Sequence, residues 1–415
     1  MLNRYFQRLS TLERLRTGPA GPFLDGFIEA LEDDGFAVGT VRDYCRCIAH
    51  FCQWATRRRI ATEQWNESTI ELWRRHGNRC RRGGKAGGSQ GNSPGRIRRF
   101  FDYLRTRGVD VPPRVEPSGP AEPGILLAFR RWMVDHRGLT ESTLWVYARA
   151  LRPLLKTLGT DPNQYDAARL RTAFLQYKDL HGRTRTKAAA TALRVFVRFL
   201  VAEGRCPAGL EAAIPTVAGW RLSSLPCSLP PDDVERVLAA CDISTRDGSR
   251  DRAVLLLLAR LGLRPGDIVA LRLGDIDWHN ASLRVSGKGR HEDRLPLTQE
   301  VGDALLAYLE HGRPAARTAV LFVHHHAPVR GWSTSRTITG LVGRALRRAG
   351  VRGPVRAAYA LRHAVATDML RQGATLTEIG ALLRHRSSET TAIYAKVDVA
   401  LLKTVAQPWP EETPC

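Results

Sequence analysis

The last fifth of the chain, from Tyr359 to Tyr394, holds residue types that can act on a phosphodiester. Arg362 is a fixed cation, His385 is a hydrogen-bond donor, and Tyr394 is a phenol that can attack phosphorus. Negative charge grows on the non-bridging oxygens during such an attack, so cations and donors placed beside them stabilise the transition state. This segment therefore predicts phosphoryl-transfer chemistry.

The charge of the whole chain indicates a polyanion as its partner. The 415 residues carry 63 Lys and Arg against 41 Asp and Glu, a formal net charge of +22. A field of this size favours nucleic acid, and the alternative is a ribosomal-type or simply soluble basic protein. Hydrophobic residues make up 43% of the chain, which is typical of a globular protein with two or three domain cores.

The cysteines and histidines do not follow a metal-binding pattern. The eight cysteines include no CxxC pair with a distant partner pair, which argues against zinc and favours free thiols in a reducing cytoplasm. The three histidines at 324–326 come just before Pro328, which favours a loop over a metal site. No apolar run reaches transmembrane length, and the N-terminus does not resemble a secretory signal. We expect a cytoplasmic protein, at the nucleoid of a bacterium, with no metal and no membrane partner.

Proline-rich and Gly/Ser-rich stretches divide the chain into segments. The predicted segments are a basic lead-in (1–20), a helical domain (21–110), a linker (111–123), a second helical domain (124–213), a linker (214–231), a domain that carries the chemistry (232–406) and a tail (407–415).

The two helical domains share a pattern that indicates duplication. Five positions of the first domain recur 103 residues later: Gly35, Thr40, Tyr44, Arg46 and Ile48 match Gly138, Thr143, Tyr147, Arg149 and Leu151. The coincidence of Gly, Thr, Tyr and Arg favours tandem homologous domains over a chance likeness between amphipathic helices. Thr40 is also predicted to cap the N-terminus of its helix.

The segment from residue 232 onward predicts helices around a small β-hairpin. Leu283 and Val285 alternate with polar residues, Gly-Lys-Gly at 287–289 marks a turn, and Leu295 and Leu297 alternate again. The run TAVLFVHHH at 318–326 is a further strand candidate. The predicted fold class is mainly α, with a small sheet in an α+β catalytic domain.

Four motifs, in this order, resemble those of the tyrosine recombinases of the phage-integrase type. GLRPGDIVAL resembles the first arginine box and places the catalytic arginine at Arg264, and GKGRHEDRLPL resembles the hairpin that carries the catalytic lysine, at Lys288. LRHAVAT resembles the second arginine box, with Arg362, and LLRHRSSETTAIY resembles the last box, with His385 and the nucleophile Tyr394. The spacing is also family-like: 24 residues from Arg264 to Lys288, 23 from Arg362 to His385, and 9 from His385 to Tyr394. Four ordered motifs are a stronger signal than any one of them.

The resemblance implies a role for each of these side chains. Tyr394 would attack DNA to give a 3′-phosphotyrosine and a free 5′-hydroxyl, with no cofactor. Arg264 and Arg362 would clamp the non-bridging oxygens. Lys288 would protonate the leaving 5′-oxygen, and His385 would hydrogen-bond the phosphate and help to deprotonate Tyr394.

Four further residues have supporting or unusual positions. Asp267 would orient an active-site cation. Tyr359 stands where the family usually has His or Lys, and a phenol can donate a hydrogen bond there but brings no cation. Arg384 replaces the glycine of the usual LGH, and the extra charge could contact DNA or alter the local turn. His363 is interpreted as a packed, structural histidine that supports the site.

Taken singly, several of these residues have plainer explanations. Arg264 could cap a helix, Lys288 could be solvated surface, and Tyr394 could belong to the core. Candidate DNA contacts are arginines of the repeated helices, the hairpin and the last box: Arg46, Arg149, Arg290, Arg294 and Arg384.

The resemblance implies a site-specific recombinase or integrase that binds double-stranded DNA. The segment 124–213 resembles a core-binding domain, and 21–110 resembles a second such module, which favours integration, excision or transposition of a mobile element. A C-terminal helix would dock on a neighbouring protomer and build a dimer and then a tetramer on DNA, with accessory recombinases or DNA-bending proteins as further partners. The alternatives are DNA relaxation of the type IB topoisomerase kind and a DNA-binding protein whose catalysis is weakened at Tyr359.

Overall fold

The computed structural model describes residues 1–77, 93–113, 123–159, 161–218, 227–287, 292–352, 357–385 and 387–397. The chain forms two compact units. One combines Met1–Arg114 with Ser224–Cys415, and the other is Val115–Ser223. The predicted boundaries of a separate domain at 21–110 stay a prediction. In the described part of the chain, no helix is both long and apolar enough to cross a membrane.

The N-terminal part of the first unit is a helical bundle. Its helices are α1 (Leu2–Tyr5), α2 (Leu9–Arg16), α3 (Gly21–Asp33), α4 (Val38–Arg57), α5 (Glu67–Gly77) and α6 (Pro94–Thr106). Apolar side chains recur at helical spacing along α4, and Val41, Ile48 and Phe51 are fully buried. The prediction of Thr40 as the cap is wrong, because α4 begins at Val38 and Ala37 holds the capping position.

The second unit is also helical. It consists of α7 (Gly124–Arg137), α8 (Glu141–Leu158), α9 (Ala167–Leu180) and α10 (Arg183–Ala202). Its core includes Phe129, Leu151 and Phe196. Gly138, which ends α7, has a φ of 54°, and its counterpart Gly35 has a φ of 79°. Both positions need the left-handed conformation, which explains glycine at each, while the duplication itself stays a prediction.

The C-terminal part of the first unit is the α+β segment. Its helices are α11 (Pro231–Ala239), α12 (Arg246–Ala259), α13 (Pro265–Ala270), α14 (Gln299–Ala307), α15 (Arg336–Arg348), α16 (Ala357–Arg371), α17 (Leu376–Leu382) and α18 (Ser388–Thr391), followed by a 3₁₀ turn at Ala392–Val397. The centre of its core is α12, whose residues Leu255 to Leu258 are all fully buried.

A three-stranded antiparallel sheet confirms the predicted hairpin. The strands are β1 (Ile276–Asp277), β2 (Ser282–Ser286) and β3 (Glu292–Pro296), in the order β1-β2-β3. Leu283 pairs with Leu295 and both face the core, as the alternation predicts. The predicted strand at 318–326 is wrong: Val320 and Val323 form only isolated bridges, each with a single partner residue. The prediction of a mostly helical fold with a small sheet is confirmed.

Within the first unit, the N-terminal bundle touches the α+β segment just after α3. The backbone N–H of Val329 donates to the carbonyl oxygen of Asp34 at 2.8 Å. Arg317 pairs with Asp33 at 2.8 Å, and Arg330 lies 3.6 Å from the Asp34 carboxylate. A side chain at Gly35 would come within 2.7 Å of Val329 Cγ2, so glycine allows this close approach.

Candidate active site

Arg264 lies directly before α13, where the chain turns after α12. Its guanidinium Nη2 donates to the carbonyl oxygen of Arg384 at 2.9 Å. The backbone N–H of Arg264 donates to Asp267 Oδ2 at 3.3 Å, so the Asp267 carboxylate caps the start of α13. The preceding Gly262 has a φ of 57°, and a Cβ there would meet Leu383 Cδ2 at 2.7 Å. Glycine is therefore required where the two segments come together.

Arg362 points from α16 into the same region and is 3% exposed. Its guanidinium donates to the carbonyl oxygens of Gly262 and Leu383. Burial, followed by the charge of Arg264, lowers the pKa of Arg362 to about 10, so the group remains cationic at neutral pH. Two arginines are thus held together by main-chain carbonyls, with their charges close enough to oppose each other. An anion placed between them would relieve this repulsion.

Tyr394 lies in the 3₁₀ turn at Ala392–Val397 and is 1% exposed. Its ring packs in a small apolar cluster with Ala366, Ile379 and Leu383. Burial raises the pKa of Tyr394 to about 12, and the nearby Arg362 charge acts in the opposite direction. Tyr394 is therefore packed as a core residue, as one of the sequence interpretations expected.

His363, the residue after Arg362, contacts the Tyr394 hydroxyl. Its Nδ1 lies 2.7 Å from Tyr394 Oη, and the two ring centroids are 5.6 Å apart. Burial and the Arg362 charge lower the pKa of His363, so its imidazole is neutral at pH 7. The sequence interpretation of His363 as a packed histidine missed this contact, which joins residues 31 positions apart.

His385 follows α17 and is held from two sides. Its backbone N–H donates to Gly380 O at 2.9 Å, and its Nδ1 lies 2.8 Å from Thr391 Oγ1. Burial, with the charges of Arg362, Arg264 and His363, lowers the pKa of His385 to about 4. His385 is therefore neutral at pH 7 and close to both arginines. Thr391 is 1% exposed, and nothing in its sequence neighbourhood distinguished it as a contact of His385.

Arg384 points toward Asp267. It has a φ of 53°, unusual for a residue other than glycine, and its side chain is 5% exposed. Its Nη2 donates to Asp267 Oδ2, and Nη1 lies 4.0 Å from Asp293 Oδ2 on β3. The predicted DNA contact of Arg384 stays a prediction, and its contact with Asp267 is a feature that the sequence did not indicate.

The remaining candidate residues lie farther from these contacts or outside the described residues. Tyr359 is 46% exposed on the first turn of α16, whereas Arg362, one turn later, is buried. Lys288 and Arg290 lie outside the described residues, as does the predicted docking helix beyond residue 397. Their predicted roles stay predictions.

The proposed DNA contacts on the helices are surface arginines. The Arg46 side chain is 62% exposed and lies 3.6 Å from Asp43, and the Arg149 guanidinium lies over the Trp145 ring at 5.2 Å. Arg294 lies on β3, opposite Arg284 on β2. Their contact with DNA stays a prediction.

The His-His-His segment forms a separate polar cluster. His325 Nδ1 lies 2.9 Å from Asp247 Oδ1, and its ring stacks near Tyr308. Among the residues that the structure describes, no group of three or more His, Cys, Asp or Glu side chains could hold a metal ion.

Comparison with known proteins assigns the family. The model of the "Phage integrase family" matches residues 228–400. A protein of Sinorhizobium fredii (strain NBRC 101917 / NGR234), named "Putative integrase/recombinase y4rA", is 36% identical over 409 residues, 97% of this chain and 97% of that protein. Tyrosine recombinase XerD of Listeria monocytogenes serotype 4b (strain F2365) is 30% identical over 289 residues, 67% of this chain and 95% of XerD.

Solved structures share the fold at lower identity. The XerH site-specific recombinase, bound to a palindromic difH substrate in a post-cleavage complex, is 19% identical with a TM-score of 0.55, over 76% of this chain and 95% of XerH. A lambda integrase(75–356) dimer bound to a COC′ core site is 19% identical with a TM-score of 0.53, over 69% of this chain and 97% of that one. The chain therefore belongs to the phage integrase family of tyrosine recombinases, enzymes that cleave and rejoin DNA strands.

Proposed function

We propose that this protein is a site-specific recombinase that cuts and rejoins DNA through a 3′-phosphotyrosine intermediate, in the integration, excision or transposition of a mobile element. One observation carries the proposal. Two arginines, two histidines and a buried tyrosine from four separated stretches of sequence meet at one place. Main-chain carbonyls hold both arginines, and the Asp267 carboxylate lies 3.9 Å from the Arg264 guanidinium and bonds to Arg384.

The chemistry follows from this arrangement. Arg264 and Arg362 bind the non-bridging oxygens of the scissile phosphate and neutralise the charge that develops on them. Neutral His385, oriented by Thr391, donates a further hydrogen bond to the phosphate. Tyr394 attacks phosphorus, and Lys288 protonates the 5′-oxygen as it leaves. The phosphotyrosine conserves the energy of the cleaved bond, so rejoining requires no cofactor.

The partners of the proposed reaction are double-stranded DNA and further copies of the chain. The net charge of +22 favours extensive phosphate contact, so binding should weaken steeply with salt. The chain shares its fold with lambda integrase(75–356), which was solved as a dimer bound to a core site, and this likeness supports assembly on DNA. Segments 21–110 and 124–213 are proposed to hold the duplex, and residues 400–415 to link protomers into a tetramer. Accessory recombinases or DNA-bending proteins would act on that complex.

Covalent trapping tests the proposed chemistry. Wild-type protein and Tyr394→Phe are incubated with DNA that flanks the gene, the mixtures are denatured, and the attached DNA ends are sequenced. We expect an adduct at a discrete site, on a 3′ end, with wild type only. Adducts scattered over the DNA would indicate a topoisomerase instead. Tight binding with no adduct would indicate a DNA-binding protein whose catalysis is weakened, and Tyr359→His would then test whether an imidazole restores cleavage.

Deleting residues 400–415 tests the assembly. The truncated protein should bind a single half-site normally and lose cooperative assembly on a full site, as measured by gel shift. Unchanged cooperativity would contradict the proposed role of the C-terminus.

A further inference from the structure

The hydroxyl of Tyr394 faces an imidazole that the four family-like motifs did not identify as catalytic. His363 Nδ1 lies 2.7 Å from Tyr394 Oη, a short distance for a bond between nitrogen and a hydroxyl. In the described part of the chain, this is the one hydrogen bond that the Tyr394 hydroxyl makes. The phenol is 1% exposed, so bulk water does not provide a ready alternative acceptor for its proton.

Two other candidate acceptors are less suited to this proton, since the Nε2 of His385 is the proposed hydrogen-bond donor to the phosphate. Tyr359, at the position where the family usually has His or Lys, is a phenol and 46% exposed. The Nδ1 of His385 is occupied by Thr391 Oγ1 at 2.8 Å. His363 is also placed on α16 immediately after Arg362, so the helix that carries a phosphate-binding arginine also carries the group that touches the nucleophile.

We propose that His363 is the general base of this enzyme, and that it removes the phenolic proton of Tyr394 during DNA cleavage and returns it during rejoining. The inference rests on the proposed function. In the forward step the proton moves from Tyr394 Oη to His363 Nδ1 as the Oη–P bond forms. The P–O5′ bond breaks, and the 5′-oxygen takes a proton from Lys288. In rejoining, the 5′-hydroxyl gives its proton to Lys288 and attacks phosphorus, and the departing Tyr394 oxygen recovers its proton from His363.

The protonation states support this direction of transfer. Burial lowers the pKa of His363, so the ring is neutral and able to accept a proton at pH 7. Burial raises the pKa of Tyr394 to about 12, so the free phenolate is scarce and a base is needed. Arg362 is the charged group that acts on both rings, and its charge favours the phenolate of Tyr394; Arg264, Arg384 and Asp267 surround Arg362, and His385 lies near the same arginine.

Single-turnover cleavage by full-length protein is the direct test. His363→Gln keeps a polar side chain that cannot take up a proton, and His311→Gln, which changes a histidine whose side chain is 80% exposed, is the matched control. We expect His363→Gln to cleave about 10²- to 10⁴-fold more slowly than wild type, with DNA affinity and melting temperature little changed. The wild-type rate should fall as His363 is protonated at low pH, and this limb should disappear in the variant.

Two rescue measurements separate a base from a structural contact. His363→Ala leaves room for a small molecule, and added imidazole should restore its cleavage rate saturably. A substrate with sulfur in place of the bridging 5′-oxygen releases a thiolate that needs no proton, so it should rescue Lys288→Ala and not His363→Gln.

The outcomes separate this proposal from the proposed function. If wild type forms no adduct, both fail. If wild type cleaves and His363→Gln remains within about three-fold of it, only the role of His363 fails. A slow His363→Gln that keeps the wild-type pH profile, together with an alanine variant that imidazole does not rescue, would also overturn the base assignment.

Discussion

The guanidinium of Arg384 donates to the carboxylate of Asp267, and both side chains are almost fully buried. The main chain of Arg384 takes part as well, because its carbonyl oxygen accepts from Arg264. Arg384, at a position where the family usually has glycine, thus supports Arg264 in two ways. Its carbonyl oxygen accepts from the Arg264 guanidinium, and its side chain holds Asp267, which accepts from the Arg264 backbone N–H. The left-handed φ of 53° costs about 1 kcal/mol for a residue other than glycine.

Arg384→Ala and Arg384→Gly should therefore differ in stability. Either change removes the guanidinium that bonds the buried Asp267 carboxylate and leaves only Arg264, at 3.9 Å, which is expected to destabilise the fold by about 3 kcal/mol. Glycine also relieves the backbone strain, so Arg384→Gly should be about 1 kcal/mol less destabilising than Arg384→Ala. Thermal unfolding of the full-length variants measures the difference.

Removing both charges provides the control. The double change Arg384→Gly with Asp267→Asn should recover much of the lost stability, because no unpaired charge remains buried. Additive losses in the double variant would contradict the pairing.

Thr391→Val should slow cleavage by about 5- to 30-fold. Valine has nearly the shape of threonine but lacks the hydroxyl that lies 2.8 Å from His385 Nδ1, so the imidazole loses its orienting partner. DNA affinity should change little. Thr390→Val, at the exposed neighbouring position, is the matched control and should cleave like wild type. Equal rates for the two variants would show that the Thr391 hydroxyl is dispensable.

The stability of the DNA-free protein should fall as the pH is lowered from about 6.5 toward 4. The folded-state pKa of His385 is lowered to about 4, below its ordinary value near 6.5, so the unfolded chain binds more protons in this window. The contribution of His385 to stability is complete above pH 6.5 and is lost as the pH falls through 4.

His385→Asn is the variant that isolates this effect. The difference in melting temperature between wild type and His385→Asn should shrink or reverse from pH 7.5 to pH 4.5, and calorimetry at several pH values measures it. A difference that stays constant with pH would mean that the imidazole is not held in its neutral form.

Gly35→Ala should destabilise the protein more than Gly108→Ala. Both glycines have left-handed φ values, 79° and 76°, so both substitutions carry a similar backbone strain of about 1 kcal/mol. Only at Gly35 does the new methyl also collide, at 2.7 Å, with Val329 Cγ2, whereas nothing lies within 4 Å at Gly108.

Val329→Ala should rescue part of the Gly35→Ala defect by removing the collision, and thermal unfolding again gives the comparison. If Gly35→Ala and Gly108→Ala have the same melting temperature, the contact between Gly35 and Val329 does not persist in solution.

The features predicted from sequence are those with a local signature. The hairpin follows from the alternation at Leu283, Val285 and Leu295, and the motifs around Arg264 and Arg362 are short and contiguous. The contact of His363 with Tyr394 depends on how α16 packs against a turn 31 residues later, and no local pattern encodes it. In the same way, sequence shows that Arg384 adds a charge, but only burial shows that the charge faces Asp267.

The wrong predictions have a related cause. Thr40 has the right chemistry for a helix cap, yet the capping position is Ala37, three residues earlier, because a local pattern indicates the existence of a helix more firmly than its boundary. The run at 318–326 has strand-like residues, but a strand needs a continuous partner, and each bridge there involves one residue pair.

The packing of Tyr394 has an evolutionary consequence. Its ring fills the small cluster around Ala366, Ile379 and Leu383, so truncation to alanine would cost about 3 to 5 kcal/mol in addition to the chemistry. Phenylalanine would remove the hydroxyl and keep the ring. Some copies of the gene could lose recombination while selection still requires the protein to fold. In those copies we expect phenylalanine to replace Tyr394 more often than any other residue type.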